Sequence, residues 1–163
     1  MSKIQRFFLL IAIIAFFTDC KKPEDNFPPE PRIEFRSIIK TENTLDITIY
    51  FEDGDGDIDT LKLIPKVESG EVIYIDSTNG NIILAKEDTV IHNSVQILYS
   101  YNIRDIDPVS SNGSMKGTIT CKIDAINAEM LLSAFPQRKK YFTITLRDRA
   151  GNISNEISTP DIN

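Results

Sequence analysis

From Arg32 onward, apolar residues recur at every second position. Leu45, Ile47, Ile49 and Phe51 share one face of a segment whose other face is Asp46, Thr48, Tyr50 and Glu52. Ile33 and Phe35 alternate with charged neighbours. The same period returns in Val95, Ile97, Tyr99 and Tyr101, in Ile119, Cys121 and Ile123, and in Phe142, Ile144 and Leu146. Successive side chains of a strand point to opposite faces, so each segment predicts a strand buried on one side. Val72-Ile73-Tyr74-Ile75 and Ile82-Ile83-Leu84 flank Asn79-Gly80, a pair suited to a tight hairpin turn. A last strand is predicted near Glu156 to Thr159. One segment departs from the pattern: Ala128 to Phe135 reads as one or two helical turns, capped by Asn127 and stopped by Pro136. Short strands between turn signals, with almost no helix, predict an all-β sandwich of two antiparallel sheets. An eight-stranded barrel is the architectural alternative.

The residues ahead of this pattern have another character. Lys3 and Arg6 precede an unbroken apolar run from Phe7 to Phe17, followed by Thr18, Asp19 and Cys20. The run is shorter than the roughly 20 apolar residues of a spanning helix and matches the apolar region of a signal peptide. As a core helix it would be apolar on every face, beside a polar, Pro-rich stretch that offers nothing to pack against. Residues 1–19 are therefore read as a lipoprotein signal peptide and Cys20 as the lipidated residue. The segment 20–31 is read as a tether, because KKPEDNFPPEP cannot bury apolar area and its prolines favour an extended backbone. Residues 32–163 form one domain. Asp19 stands where a small residue usually precedes such a cysteine, which leaves ordinary cleavage or an uncleaved anchor open. Acyl chains on Cys20, at about 0.8 kcal/mol per buried CH₂, would hold the protein on the membrane permanently.

Charge and reactive groups narrow the chemistry. Without Lys3, Arg6 and Asp19 of the leader, 16 basic and 23 acidic groups remain, a net charge of −7. That sign argues against nucleic acid and anionic headgroups as main partners. Cys121 is in phase with Ile119 and Ile123, as expected of a small buried hydrophobe rather than a nucleophile. His92, the single histidine, lies among polar residues, so neither a Ser-His-Asp nor a Cys-His site assembles, and no enzyme is expected.

The most distinctive segment is Asp53-Gly54-Asp55-Gly56-Asp57-Ile58-Asp59, directly after a strong strand. Four carboxylates alternate with residues that include two glycines, which permit unusual backbone paths. Ca²⁺ takes six to eight hard oxygen ligands, and carboxylates plus loop carbonyls supply that type. Carboxylates about 6 Å apart repel by roughly 0.7 kcal/mol even in bulk water, so a divalent ion would relieve the loop. Asp53, Asp55, Asp57 and Asp59 are the candidate ligands, and a solvated acidic turn is the alternative. The loop is not an EF-hand: counted from Asp53, the sixth position is Ile58 and the twelfth Ile64. Glycosidase chemistry, which needs two carboxyls set apart across a sugar cleft, fits a crowded loop poorly.

FEDGDGDID (51–59) and LRDRAGNISN (146–155) together resemble a pattern in small lipoproteins of the Bacteroidota, and the segment around Cys20 resembles their loose lipidation signal. The second segment is also similar to the Asp-x-x-Gly-Asn ending of bacterial immunoglobulin-like and fibronectin-like modules. The resemblance implies an immunoglobulin-like sandwich of about seven strands on the envelope. It also implies that Asp148, Gly151 and Asn152 shape the turn between the last two strands, as turn chemistry independently suggests. Asp59 departs from the pattern, where relatives usually carry Gly. The expected function is a non-catalytic envelope or cell-surface lipoprotein, anchored at the outer membrane, that serves as a binding or structural module with a Ca²⁺-stabilised acidic loop and a protein or glycan as partner. The alternative is an accessory glycan-binding protein of a polysaccharide-uptake system, with Tyr50, Tyr74, Tyr99 and Tyr101 as candidate sugar platforms.

Overall fold

The computed structural model describes residues 27–87, 89, 91–103, 113–133 and 135–162. The leader, Cys20 and the start of the tether lie outside the described residues. Among the described residues no helix is long and apolar enough to cross a membrane.

Two antiparallel sheets face each other. The smaller has the order β1-β2-β8, from β1 (Arg32–Lys40), β2 (Thr44–Asp53) and β8 (Met115–Asp124). The larger has the order β10-β9-β3-β4-β5, from β3 (Ile58–Val67), β4 (Val72–Asp76), β5 (Ile82–Ala85), β9 (Lys140–Asp148) and β10 (Ile157–Ser158). Two further strands join it: β6 (Ser94–Gln96) pairs with β4, and β7 (Tyr99–Asn102) pairs with β3. The seven strands β1-β2-β8 and β10-β9-β3-β4 follow the order of an immunoglobulin-like sandwich. The other three are inserted between β4 and β8, so ten strands are described where about seven were expected.

The two-residue stripes of β2, β8 and β9 meet as anticipated, whereas Val95 is exposed. Leu45, Ile47, Ile49 and Phe51 of β2, Cys121 and Ile123 of β8, and Phe142, Ile144 and Leu146 of β9 are all buried in one core. Fully burying a side chain of this kind contributes about 1.5–3 kcal/mol, which makes this stripe the main source of stability. Asn79-Gly80 forms the β4–β5 turn, with Gly80 at φ 74° and its N–H donating to Asp76 O at 2.8 Å. At the seam between sheets, the Asn155 side chain acts as a substitute strand. Its Oδ1 accepts from Ile33 N and its Nδ2 donates to Ile33 O, both at 3.0 Å.

Three expectations are corrected. The central strand β3 was not anticipated, because Pro65 interrupts its apolar pattern and proline cannot donate to a ladder. Pro65 is tolerated because Phe142, opposite it, exchanges its bonds with Thr159, just beyond β10. The ring nitrogen therefore faces away from β9, into the gap between β7, which ends opposite Leu63, and β4, which begins opposite Lys66. The segment expected as one strand from Val95 to Tyr101 is two, because its halves pair with different partners and Ile97 N donates to Ile73 O at the break. The helix α1 (Ala125–Ser133) starts earlier than expected. Its cap is Asp124, whose Oδ1 accepts from Asn127 N at 3.0 Å, while Asn127 itself lies inside the first turn.

Candidate metal centre

The inward stripes of the two sheets both end in a carboxylate. On β2 the buried phase Leu45, Ile47, Ile49, Phe51 continues to Asp53, which is 0% exposed. On β9 the buried phase Phe142, Ile144, Leu146 continues to Asp148, which is 1% exposed. These two aspartates, one from each sheet, close the same end of the core. The loop after β2 brings Asp55 and Asp57 to them, and one oxygen from each of the four carboxylates lies within 4.8 Å of the others.

Local sequence explains the path. Asp53 Oδ2 accepts from Asp57 N at 2.8 Å, which folds the loop back on its own origin. Gly56 takes φ 68°, a left-handed value that costs glycine little. Arg149 N donates to Asp57 O at 2.9 Å and ties the loop to the turn after β9. In that turn Asp148 Oδ1 accepts from Asn152 N, and Oδ2 from Asn152 Nδ2, each at 2.7 Å. Gly151 sits at φ 94° and its N–H points to Asp148 O at 3.3 Å. Asp148, Gly151 and Asn152 thus build the turn between β9 and β10, and Asp148 also faces the acidic cluster.

Two oxygens of the cluster lack a partner. Asp53 Oδ1 and Asp57 Oδ1 are buried and accept no hydrogen bond among the described residues. A buried unsatisfied polar atom costs about 1–3 kcal/mol, and more when charged. Four ionised groups this close add roughly 0.9 kcal/mol of repulsion per pair at bulk-water dielectric, and more in a drier site. Burial pushes the Asp53 carboxyl up to about 6, with the charges of Asp55, Asp57 and Asp148 adding to the rise and the Asp57 amide opposing it. Burial and the neighbouring Asp55 raise Asp57 as well.

A cation suits this arrangement. Oxygens bound to one ion at about 2.4 Å stand at most about 4.8 Å apart, and hard anionic oxygens are the donors that Ca²⁺ takes. The cluster can therefore hold a metal ion, with Asp53, Asp55, Asp57 and Asp148 as ligands.

Asp59 is directed elsewhere. The β3–β9 register slips between Ile58 and Thr60, and Ile58 takes the inward position. Asp59 instead pairs with Arg147 at 3.0 Å and accepts from Thr60 Oγ1 at 2.8 Å. The Thr60 hydroxyl and the Arg147 guanidinium hold its carboxyl below the usual range. Of the four loop aspartates, then, three assemble and the fourth site member comes from β9. Asp148 was singled out only for its turn. Its phase with Phe142, Ile144 and Leu146 was the overlooked signal, just as Asp53 follows Phe51 in phase.

The other reactive groups are spread out. Cys121 is buried in the core and its thiol is pushed up to about 12 by that burial, far from a thiolate nucleophile. His92 is exposed on the turn before β6. The candidate tyrosines are engaged in packing and hydrogen bonds. Tyr74 is buried and donates to Glu87 O at 2.8 Å, and Tyr99 packs edge-on against Phe142. Tyr101 donates to Lys122 O at 3.0 Å, and Arg36 lies 4.8 Å over the Tyr50 ring. No protein-family model, curated protein or solved structure matches this chain.

Proposed function

We propose that the protein is a non-catalytic module of the bacterial cell envelope. It is anchored to the outer membrane through Cys20, presents its loops to a protein or glycan, and holds Ca²⁺ in the Asp53, Asp55, Asp57 and Asp148 cluster. The observation that carries the metal reading is the pair of buried, unpartnered oxygens on Asp53 and Asp57 beside two further carboxylates. The apolar run Phe7 to Phe17, preceded by Lys3 and Arg6 and followed by Cys20, supports the envelope address. The buried thiol of Cys121 and the exposed His92 support a binding role over a catalytic one.

Calcium in this role is structural. It bridges the end of β2 in one sheet to the end of β9 in the other, where like charges otherwise push the sheets apart. An ion bound at 100 times its Kd adds about 2.7 kcal/mol to stability. For a domain of this size that raises the melting temperature by about 10 °C. Calcium titration followed by thermal unfolding tests the reading: a saturable rise supports it, and a melting temperature indifferent to both calcium and EDTA overturns it.

A further inference from the structure

The described part of the tether runs directly over the acidic loop. At Gly54, between Asp53 and Asp55, an added Cβ would collide with the carbonyl oxygens of Phe27 and Pro28 and stand 2.6 Å from the Pro28 carbonyl carbon. No side chain fits there, so the tether backbone rests on the loop backbone itself. Neighbouring contacts hold the same stretch. The Lys116 ammonium lies 5.6 Å over the Phe27 ring, and Lys116 pairs in register with Glu52, at the strand end that leads into the loop. Pro31 is buried, and Ile33 just beyond it is clamped by Asn155. The chain thus enters the domain across the candidate metal centre.

We propose that the ion-loaded acidic loop is a latch for the tether, so that divalent cation decides whether residues 27–31 are docked on the domain or released. This inference rests on the calcium reading above. Its physical basis is the position of Gly54 between two ligand-bearing residues. With the ion, Asp53 and Asp55 are drawn to one centre and the backbone between them is a fixed seat. Without it, the carboxylates repel, the loop opens, and the seat moves from under Phe27 and Pro28. Coupling of this kind is reciprocal: a docked tether strengthens ion binding by the factor by which the ion favours docking.

The consequence concerns distance from the membrane. Twelve residues, 20–31, span at most about 40 Å when extended, and the prolines favour that extension. Docking residues 27–31 leaves seven residues, or roughly 25 Å. Calcium would draw the domain toward the bilayer, and its loss would let the domain reach further out.

The test is amide hydrogen exchange on the full chain in detergent, with calcium or with EDTA, read at Phe27, Glu30 and Arg32. Calcium is expected to slow exchange there about five-fold or more. G54A places a methyl group against the tether backbone and leaves every carboxylate in place. It is expected to abolish that protection while calcium still raises the melting temperature, with calcium binding weakened by a similar factor. If G54A does not fold, F27A serves instead, because it removes the ring beneath Lys116. Calcium binding in the wild type without slowed exchange at Phe27 and Glu30 would overturn the latch and leave the metal site standing. No calcium effect on melting temperature would overturn both.

Discussion

Strand β9 carries a buried charge at each end of its inward stripe, Lys140 at the start and Asp148 at the finish. Between them lie Phe142, Ile144 and Leu146, so the core is bounded above and below by ionisable groups. The two ends meet the cost of burial differently. Lys140 has a flexible stem and its ammonium donates to Arg138 O at 3.3 Å, while its own backbone N–H donates to Asp161 Oδ1 at 3.1 Å. Burial lowers the Lys140 pKa, and the negative charge of Asp161 opposes that shift. At the other end Asp148 is joined by Asp53, Asp55 and Asp57, all of one sign, and two oxygens are left without partners. The short carboxylate stems have less reach towards a partner than the lysine stem, which carries its ammonium to the Arg138 carbonyl. One end is therefore satisfied by the chain itself, and the other can take a counter-ion from outside.

The contrast can be tested from its strongest consequence downward. In metal-free protein, the folded pKa of Asp53 at about 6 stands above its unfolded value of 3.8. The native state then binds more protons than the unfolded chain between these values, so stability rises as pH falls from 7 towards 5. The gain from Asp53 is at most about 3 kcal/mol below its unfolded pKa, of which about 1.3 kcal/mol develops between pH 7 and pH 5, and it is lost again as pH rises through 6. Urea unfolding at pH 7 and pH 5 in EDTA measures it. With calcium present the slope should reverse, because protons then compete with the ion. A metal-free protein less stable at pH 5 than at pH 7 would contradict the account of this end.

A second effect is an inversion of sign. D53N removes one buried charge and is expected to stabilise the metal-free protein by about 1–2 kcal/mol, through lost repulsion and cheaper burial. The same variant should lose the stabilisation by calcium. Thermal unfolding in EDTA and in calcium reads both halves. Destabilisation by D53N in EDTA would show that its carboxylate is satisfied without an ion.

At the opposite end, K140M keeps the buried stem and removes the charge. Its expected cost is under about 1.5 kcal/mol, with a calcium response equal to that of the wild type. A changed calcium response would mean that the two ends are coupled through β9. The smallest effect belongs to D59N. Because Asp59 pairs with Arg147 on the surface, its replacement should leave calcium affinity by isothermal calorimetry unchanged. A large fall in affinity would bring Asp59 back among the ligands.

The chain itself determined the strands whose stripes run without interruption. β2 and β9 bury every second residue, and a shift of one position would turn their whole apolar set into water, so their faces were legible. Gly80 and Gly151 marked turns because each occupies a backbone region that other residues enter at a cost. Strand β3 was hidden because Pro65 is acceptable only in the gap that β7 and β4 leave beside it, a fact of pairing rather than of local preference. The same holds for the acidic site. Sequence proximity grouped Asp53, Asp55, Asp57 and Asp59, whereas the sandwich replaced Asp59 with Asp148, 95 residues beyond Asp53. Periodicity tells which way a side chain points from its own strand. Only the packing of one sheet on the other decides which inward-pointing charges come together.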